Sequence, residues 1–236
     1  MIEKELFEKP VFRNAGDRGF IIEFGQGIDP DINARVMAVA EALTNNICHG
    51  ILEIIPTYRS LLLIYDPLIT HPEKLVSSVE KIEYKIKKTD AKTSKVVEIP
   101  VCYGGEFGPD IGNIEKNTSL LREDIIKLHS EPEYLIYMVG FTPGFPFLGG
   151  LNEKLFTPRL KTPRMLVPEG SVGIANNQTG MYPIASPGGW QIIGRTPLKL
   201  FSPQKKNPFL YKAGDKIKFI PISQTEYVKL KKKEEK

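Results

Sequence analysis

A chain of 236 residues that is 41% hydrophobic can bury one large core or two modest ones, which excludes a disordered polymer. Its net charge of +4 sits mostly at one end, where residues 229–236 (KLKKKEEK) carry five lysines against two glutamates; the body is nearly neutral, and no Lys/Arg run marks a nucleic-acid face. Two cysteines, Cys48 and Cys102, lie far apart without CxxC spacing, which argues against a disulfide framework and a structural zinc site and predicts two buried thiols.

The opening decapeptide MIEKELFEKP carries charges where a signal peptide needs an apolar run, so the expectation is no export and a reducing cytoplasm. Phe20–Phe24 reads as a short strand. Asp29 and Pro30 then supply an N-cap oxygen and a preset φ, and Ile32, Val36, Val39, Ala40, Leu43 and Ile47 recur at helical spacing. Ile51–Ile55 and Leu61–Tyr65 predict two strands joined by the turn PTYRS. Thr70 and Glu73 have capping-box spacing before a second helix with Leu75, Val76, Val79, Ile82 and Ile86 on one side. The order βαββα predicts a small two-layer α+β domain over residues 1–90, similar to a ferredoxin-like split βαβ unit.

Residues 87–95 (KKTDAKTSK) lack apolar periodicity and read as a linker. The remainder, 96–236, is rich in glycine and proline, with short β-type runs at Val96–Tyr103, Val172–Ala175, Gln191–Ile193, Leu198–Phe201 and Ile217–Ile222. That spacing predicts a closed or sandwich-like antiparallel sheet. One helix is predicted over Leu120–His129, with Leu121, Ile125 and Leu128 on a common face. The charge-free run Gly170–Gly194 is long enough to span a bilayer, but its glycines, prolines, Asn176, Asn177 and Gln178 exclude a transmembrane helix, and no membrane association is expected.

Common catalytic signatures are absent: no phosphate loop, HExxH, GxSxG or dinucleotide turn occurs, and EGSVG at 169–173 has its serine one place too early. His49 and His71, beside a turn and a helix start, read as structural. His129, at a predicted helix end, is either a dipole-stabilised cation or an acid, base or substrate donor. In TPRLKTPR (157–164), Arg159, Lys161 and Arg164 alternate with prolines, a pattern that fits a solvated loop or an anion site. Residues 167–197 place Gln178, Thr179, Tyr182, Ser186, Trp190 and Gln191 beside apolar surface, with Glu169 and Arg195 as the charges; this fits a small-molecule pocket or a plain β-meander. Finally, GFTPGFPFLGGL (140–151) packs four glycines, two prolines and three phenylalanines without an ionisable side chain, apolar like a core but punctuated like a loop.

GFTPGFPFLGGL, PRLKTPR, VPEGSVGIANNQTGMYP and SPGGWQIIGRTP, with VCYGGEFGPD at 101–110 and LHS at 128–130, resemble the signature of the bacterial 5-oxoprolinase B-subunit family. That family is also described as the KipI-type kinase inhibitors and as allophanate hydrolase subunit 1. The resemblance implies a ferredoxin-like N-terminal domain followed by a cyclophilin-like β-barrel. It further implies one component of a three-part enzyme that, with the KipA-like C-subunit and the A-subunit of oxoprolinase, opens 5-oxoproline to L-glutamate at the expense of ATP with magnesium. No cofactor held tightly by this chain alone and no metal site are expected. The implied site comprises His129, Asp110 and Arg195 as catalytic groups and Arg159, Arg164, Gln178, Tyr182, Ser186 and Trp190 as substrate-binding groups. Phe141, Phe145 and Phe147 would line a barrel mouth or a partner interface. Regulation of a sensor histidine kinase, a carboxyltransferase or allophanate-hydrolase role and, by fold analogy alone, prolyl isomerisation are the rival readings, and a homo-oligomer is left open.

Overall fold

The computed structural model describes residues 5–46, 48–86 and 95–234. The chain forms two compact units, Met1–Thr93 and Ser94–Lys236.

In the first unit the elements run β1 (Glu5–Ala15), β2 (Gly19–Gln26), α1 (Pro30–Asn45), β3 (Ile51–Pro56), β4 (Ser60–Tyr65) and α2 (Pro72–Ile86). The four strands form an antiparallel sheet in the order β1-β2-β4-β3. Asp29 caps α1 through its side chain, which accepts the Asp31 N–H at 2.9 Å, and Pro30 opens the first turn. Ile32, Val36, Val39, Ala40 and Leu43 bury against Phe20, Ile22, Phe24, Leu61 and Leu63, joined by Leu75 and Val79 of α2. Ile47 lies outside the described residues, as do the Ile86 side chain and positions 87–94 of the expected linker.

The expected βαββα order gains an N-terminal strand, because β1 has no apolar stripe to announce it and is mostly exposed. Its register with β2 shifts between Leu6 and Val11, and the irregular stretch is held by Arg35, which donates to the carbonyls of Phe7 and Glu8 while forming a bidentate pair with Glu83 at 2.6 and 2.7 Å. The capping box at Thr70 does not form: Thr70 Oγ1 is buried with no hydrogen-bond partner, and His71 Nδ1 instead meets Glu73 Oε2 at 2.7 Å.

The second unit contains β5 (Val96–Tyr103), α3 (Ile111–Thr118), α4 (Arg122–Ser130), β6 (Glu133–Val139), β7 (Pro146–Gly149), a 3-10 turn at Glu153–Leu155, β8 (Arg164–Val167), β9 (Ser171–Ala175), β10 (Gln178–Met181), β11 (Ser186–Gly188), β12 (Gln191–Arg195), β13 (Lys216–Pro221) and α5 (Gln224–Glu234). Seven strands close a barrel in the order β10-β7-β6-β13-β5-β12-β9, while β8 and β11 form a separate two-stranded ribbon. Closure leaves the barrel without open edges. Ile99, Val101, Tyr134, Ile136, Leu148, Val172, Ile174, Ile193, Ile217 and Phe219 fill its core, and Ile114 and Ile125 seal it from α3 and α4.

The barrel is not wholly antiparallel. β13 runs parallel to β5, from Lys216↔Val96 to Pro221↔Val101. Leu198–Phe201 is not a strand; Leu200 plugs the core, and Phe201 makes only an isolated bridge to Phe209. Leu121, expected on the buried face of its helix, precedes α4 and is exposed, whereas Ile125 and His129 are buried. Helix α5 escapes apolar periodicity because Tyr227 is its one buried side chain. Among the described residues no helix is long and apolar enough to cross a membrane. Cys102 is buried and Cys48, contrary to expectation, only half-buried; both are free thiols.

Candidate functional site

The segment following β5 reverses through Gly104 and Gly105, both at positive φ. It then presses Gly108 against β12 so closely that a Cβ there would lie 2.0 Å from the Ile193 carbonyl oxygen. This docking delivers Asp110 to the backbone edge of β12, beyond its pairing with β5. The Asp110 N–H donates to the Ile192 carbonyl at 2.9 Å, and the Ile192 N–H donates back to Asp110 Oδ2 at 2.7 Å. The second oxygen, Oδ1, accepts from Arg164 Nη2 at 2.6 Å. Asp110 precedes α3 yet makes no side-chain cap, because its carboxylate is committed to Ile192 and Arg164.

Arg164 opens the β8–β11 ribbon, in which it faces Gly188 while Val167 faces Ser186. Its second terminal nitrogen, Nη1, is buried without a hydrogen-bond partner, and so are Ser186 Oγ and Thr142 Oγ1. A buried guanidinium N–H left unpaired costs free energy, which marks it as a position a ligand acceptor can satisfy.

Beneath the ribbon lies a second core. Phe145 is its hub, with ring centroids 5.6 Å from Phe141, 5.1 Å from Phe147, 5.4 Å from Tyr182 and 5.5 Å from Trp190, all edge to face. Gly180 admits this packing, since a Cβ would meet Phe145 and Trp190 atoms at 3.1 Å. Gly188 likewise lets the ribbon rest on Tyr182, whose hydroxyl would stand 2.3 Å from an added Cβ. Burial pushes the Tyr182 hydroxyl up to about 12, while the Trp190 backbone N–H and the charges of Arg159 and Arg164 act in the opposite sense. Tyr182 is therefore a neutral phenol. Gln178 shares the outer side of β10 with Gly180 by strand alternation.

The structure thus brings together Asp110, Arg164, Tyr182, Ser186 and Trp190 on one side of the barrel, with Arg159 close enough to act on Tyr182. Arg159 is exposed. Phe145 is 2% exposed and belongs to the protein's own core, which corrects its expected place at a partner interface. Phe147 is half-buried, whereas Phe141 is 69% exposed and holds a left-handed backbone at φ +67.

His129 and Arg195 are elsewhere. The His129 ring lies in the barrel core, stacked on Phe219 at 4.7 Å. Thr179 Oγ1 donates to the Gly173 carbonyl and so accepts from His129 Nε2 at 2.8 Å, which leaves Nδ1 to accept from the Tyr103 hydroxyl at 2.8 Å. Burial lowers the imidazole to about 3, so it is neutral, which excludes the helix-end cation that was one of its two expected readings. Both ring nitrogens are thus taken, and Asp110 is committed to Ile192 and Arg164, so the expected proton-shuttling pair of His129 with Asp110 does not form. Arg195, at the end of β12, interacts with Tyr227 of α5, and its Nε is buried without a partner.

Sequence reasoning passes over the clamp that orients the 157–164 segment: Gln191 Nε2 donates to the Pro158 carbonyl at 2.9 Å, and its Oε1 accepts from Asn113 at 3.0 Å. The GGW triplet beside Gln191 is the available signal, since two adjacent glycines mark a close backbone approach. Among the described residues, no three or more His, Cys, Asp or Glu side chains stand together as metal ligands.

The family described as carboxyltransferase domain, subdomain C and D, matches residues 10–211. A Bacillus subtilis (strain 168) protein named as the B-subunit of 5-oxoprolinase is 43% identical over 222 residues, covering 90% of this chain and 92% of the relative. An Escherichia coli O157:H7 protein of the same name is 38% identical over 209 residues, covering 87% and 93%. The crystal structure of TTHA0988 superposes with a TM-score of 0.78 at 37% identity, over 87% of this chain but 40% of that one. With a carboxyltransferase family match over most of its length and two such relatives, the chain belongs to the 5-oxoprolinase B-subunit family.

Proposed function

We propose that this chain is one component of an ATP-dependent 5-oxoprolinase, active with the A- and C-subunits and inactive alone, that opens 5-oxoproline to L-glutamate in the cytoplasm. The likeness to proteins named as 5-oxoprolinase B-subunits supports this reading. The observation that carries it is Arg164 Nη1, a buried and unsatisfied donor on a guanidinium whose other arm is fixed by Asp110. 5-Oxoproline is a small lactam bearing one carboxylate. The carboxylate accepts from Arg164 Nη1, with Arg159 supplying further positive charge, on the ribbon that covers the Tyr182, Trp190 and Phe145 core.

Ring opening adds a water oxygen to the lactam carbonyl carbon and breaks its bond to nitrogen; the nitrogen takes up protons to become the amine, and the carbon becomes the second carboxylate. An unstrained lactam is a poor electrophile, and ATP supplies the activation. In this reading ATP and its magnesium belong to the assembled complex. In this chain Asp110 positions Arg164, and His129 serves the barrel core rather than proton transfer.

A carboxyl-transfer role on another amide is the second reading, favoured by the description of the matching family. The test is glutamate release from 5-oxoproline and ATP by this chain alone, by the A- and C-subunits alone, and by all three. Release only from the full mixture is expected. No release, with all three folded and bound, overturns the oxoprolinase reading in favour of carboxyl transfer.

A further inference from the structure

The β8–β11 ribbon is not hydrogen-bonded to the barrel, and β8 is hydrogen-bonded on one side only, to β11. Its two central residues are Met165, 86% exposed, and Leu166, 63% exposed. Consecutive strand residues normally face opposite ways, but the register shift between Ser186 and Gly188 across from them leaves both outward. Two adjacent large apolar side chains at such exposure on a built strand mark an association surface.

The neighbouring charges that lack an ion-pair partner are of one sign. Arg159 and Lys161 are exposed, and among the described residues neither has an ion-pair partner, while Arg164 spends its charge on Asp110. The acidic side chain following the strand, Glu169, is already paired with Lys231 at 3.2 Å. The apolar pair is therefore edged by cations without local counter-charge, a pattern that selects an acidic rim across an interface.

The ribbon is also rigid. Val167 is fully buried in the aromatic core, Arg164 is pinned to Asp110, Gly188 rests on Tyr182, and the Leu160 N–H donates to the Gly189 carbonyl at 2.7 Å. A preorganised surface loses little freedom on association.

We infer that the β8–β11 ribbon is the docking rib for a partner protein whose facing surface is apolar at its centre and acidic at its rim. This rests on the oxoprolinase reading, in which that partner is the KipA-like C-subunit. Because β8 carries both the rib and Arg164, a partner seated on Met165 and Leu166 also screens the Arg164 site from water, which strengthens its hold on an anion.

The experiment measures binding of the purified C-subunit to the full chain and to two variants, Met165→Asp/Leu166→Asp and Lys161→Glu. The double variant is expected to weaken binding by about 100-fold or more, as loss of a central apolar anchor does. Lys161→Glu is expected to weaken it by roughly 3- to 10-fold at low salt and much less in high salt. Both variants change exposed side chains, so an unchanged Tm is the check on folding. Wild-type affinity in the double variant overturns the docking rib and leaves the oxoprolinase reading intact. Failure of the unmodified chain to bind the C-subunit overturns the oxoprolinase reading and the rib with it. Self-association of the chain alone, abolished by the double variant, overturns the assignment in favour of a second copy.

Discussion

Asp110 reaches Arg164 across 54 positions of sequence and holds its Nη2 at 2.6 Å, with the carboxylate's other oxygen bound to the Ile192 N–H. The Asp110 side chain is 6% exposed and that of Arg164 32%, so removing the carboxylate orphans both a buried amide and a half-buried cation. Asp110→Ala is expected to cost about 2–3 kcal/mol, below the ~3–5 kcal/mol of a fully buried pair because Arg164 keeps partial access to water. Urea denaturation of the isolated chain measures it; a loss under ~0.5 kcal/mol refutes the positioning role.

Two of the three arginines that the sequence offers as site residues, Arg164 and Arg195, separate in the structure. Arg164→Met removes the unsatisfied donor and is expected to lower kcat/KM for 5-oxoproline in the assembled complex by about 100-fold, roughly 2.7 kcal/mol of transition-state binding. Arg195→Met, whose side chain meets Tyr227, is expected to change kcat/KM by less than about threefold while lowering the stability of the chain. Steady-state kinetics on both variants decides the matter, and the reverse ranking would restore Arg195 to the site.

His129 titrates far below an unfolded histidine, at about 3 against 6.5. The unfolded chain therefore binds one more proton between these values, and stability rises with pH there, by at most about 1.4 kcal/mol per unit. The stabilisation from keeping this imidazole neutral is complete above about pH 6.5 and is lost as pH falls toward 3. Guanidinium denaturation between about pH 4.5 and 7 of the wild type and His129→Gln should show a shallower slope in the variant. Parallel slopes would mean that His129 is not the buried neutral group described.

Local grammar was readable where one element decides it. Asp29-Pro30 fixes the start of α1, and alternation over Val96–Tyr103 gives β5 residue for residue. The strand β1 was not readable, because its partner is β2 and its support comes from Arg35 carbonyl contacts rather than from an apolar stripe. The site divides the same way. Residue type singled out Arg164 and Tyr182, and the family resemblance added Asp110, but no spacing rule states that Asp110 meets Arg164, or that His129 points inward to Thr179 instead of outward to a substrate. Pairings made by barrel closure are non-local, and periodicity carries no record of them.

The segment GFTPGFPFLGGL joins two neighbouring phenylalanines with opposite energetics. Phe145 is buried at the centre of four aromatic contacts, and Phe145→Ala should cost about 3–5 kcal/mol through lost burial and an unfilled cavity. Phe141 is 69% exposed and strained at φ +67, where a β-carbon is disfavoured and glycine is not. Phe141→Gly relieves that strain but adds freedom to the unfolded chain, and the balance is expected to leave stability within about 1 kcal/mol of wild type. Thermal denaturation of the two variants should differ by about 4 °C or more in Tm, taking about 2–4 °C per kcal/mol for a chain of this size. Equal losses in both would show that the Phe141 ring contributes to the core as much as Phe145 does, and would contradict its exposure.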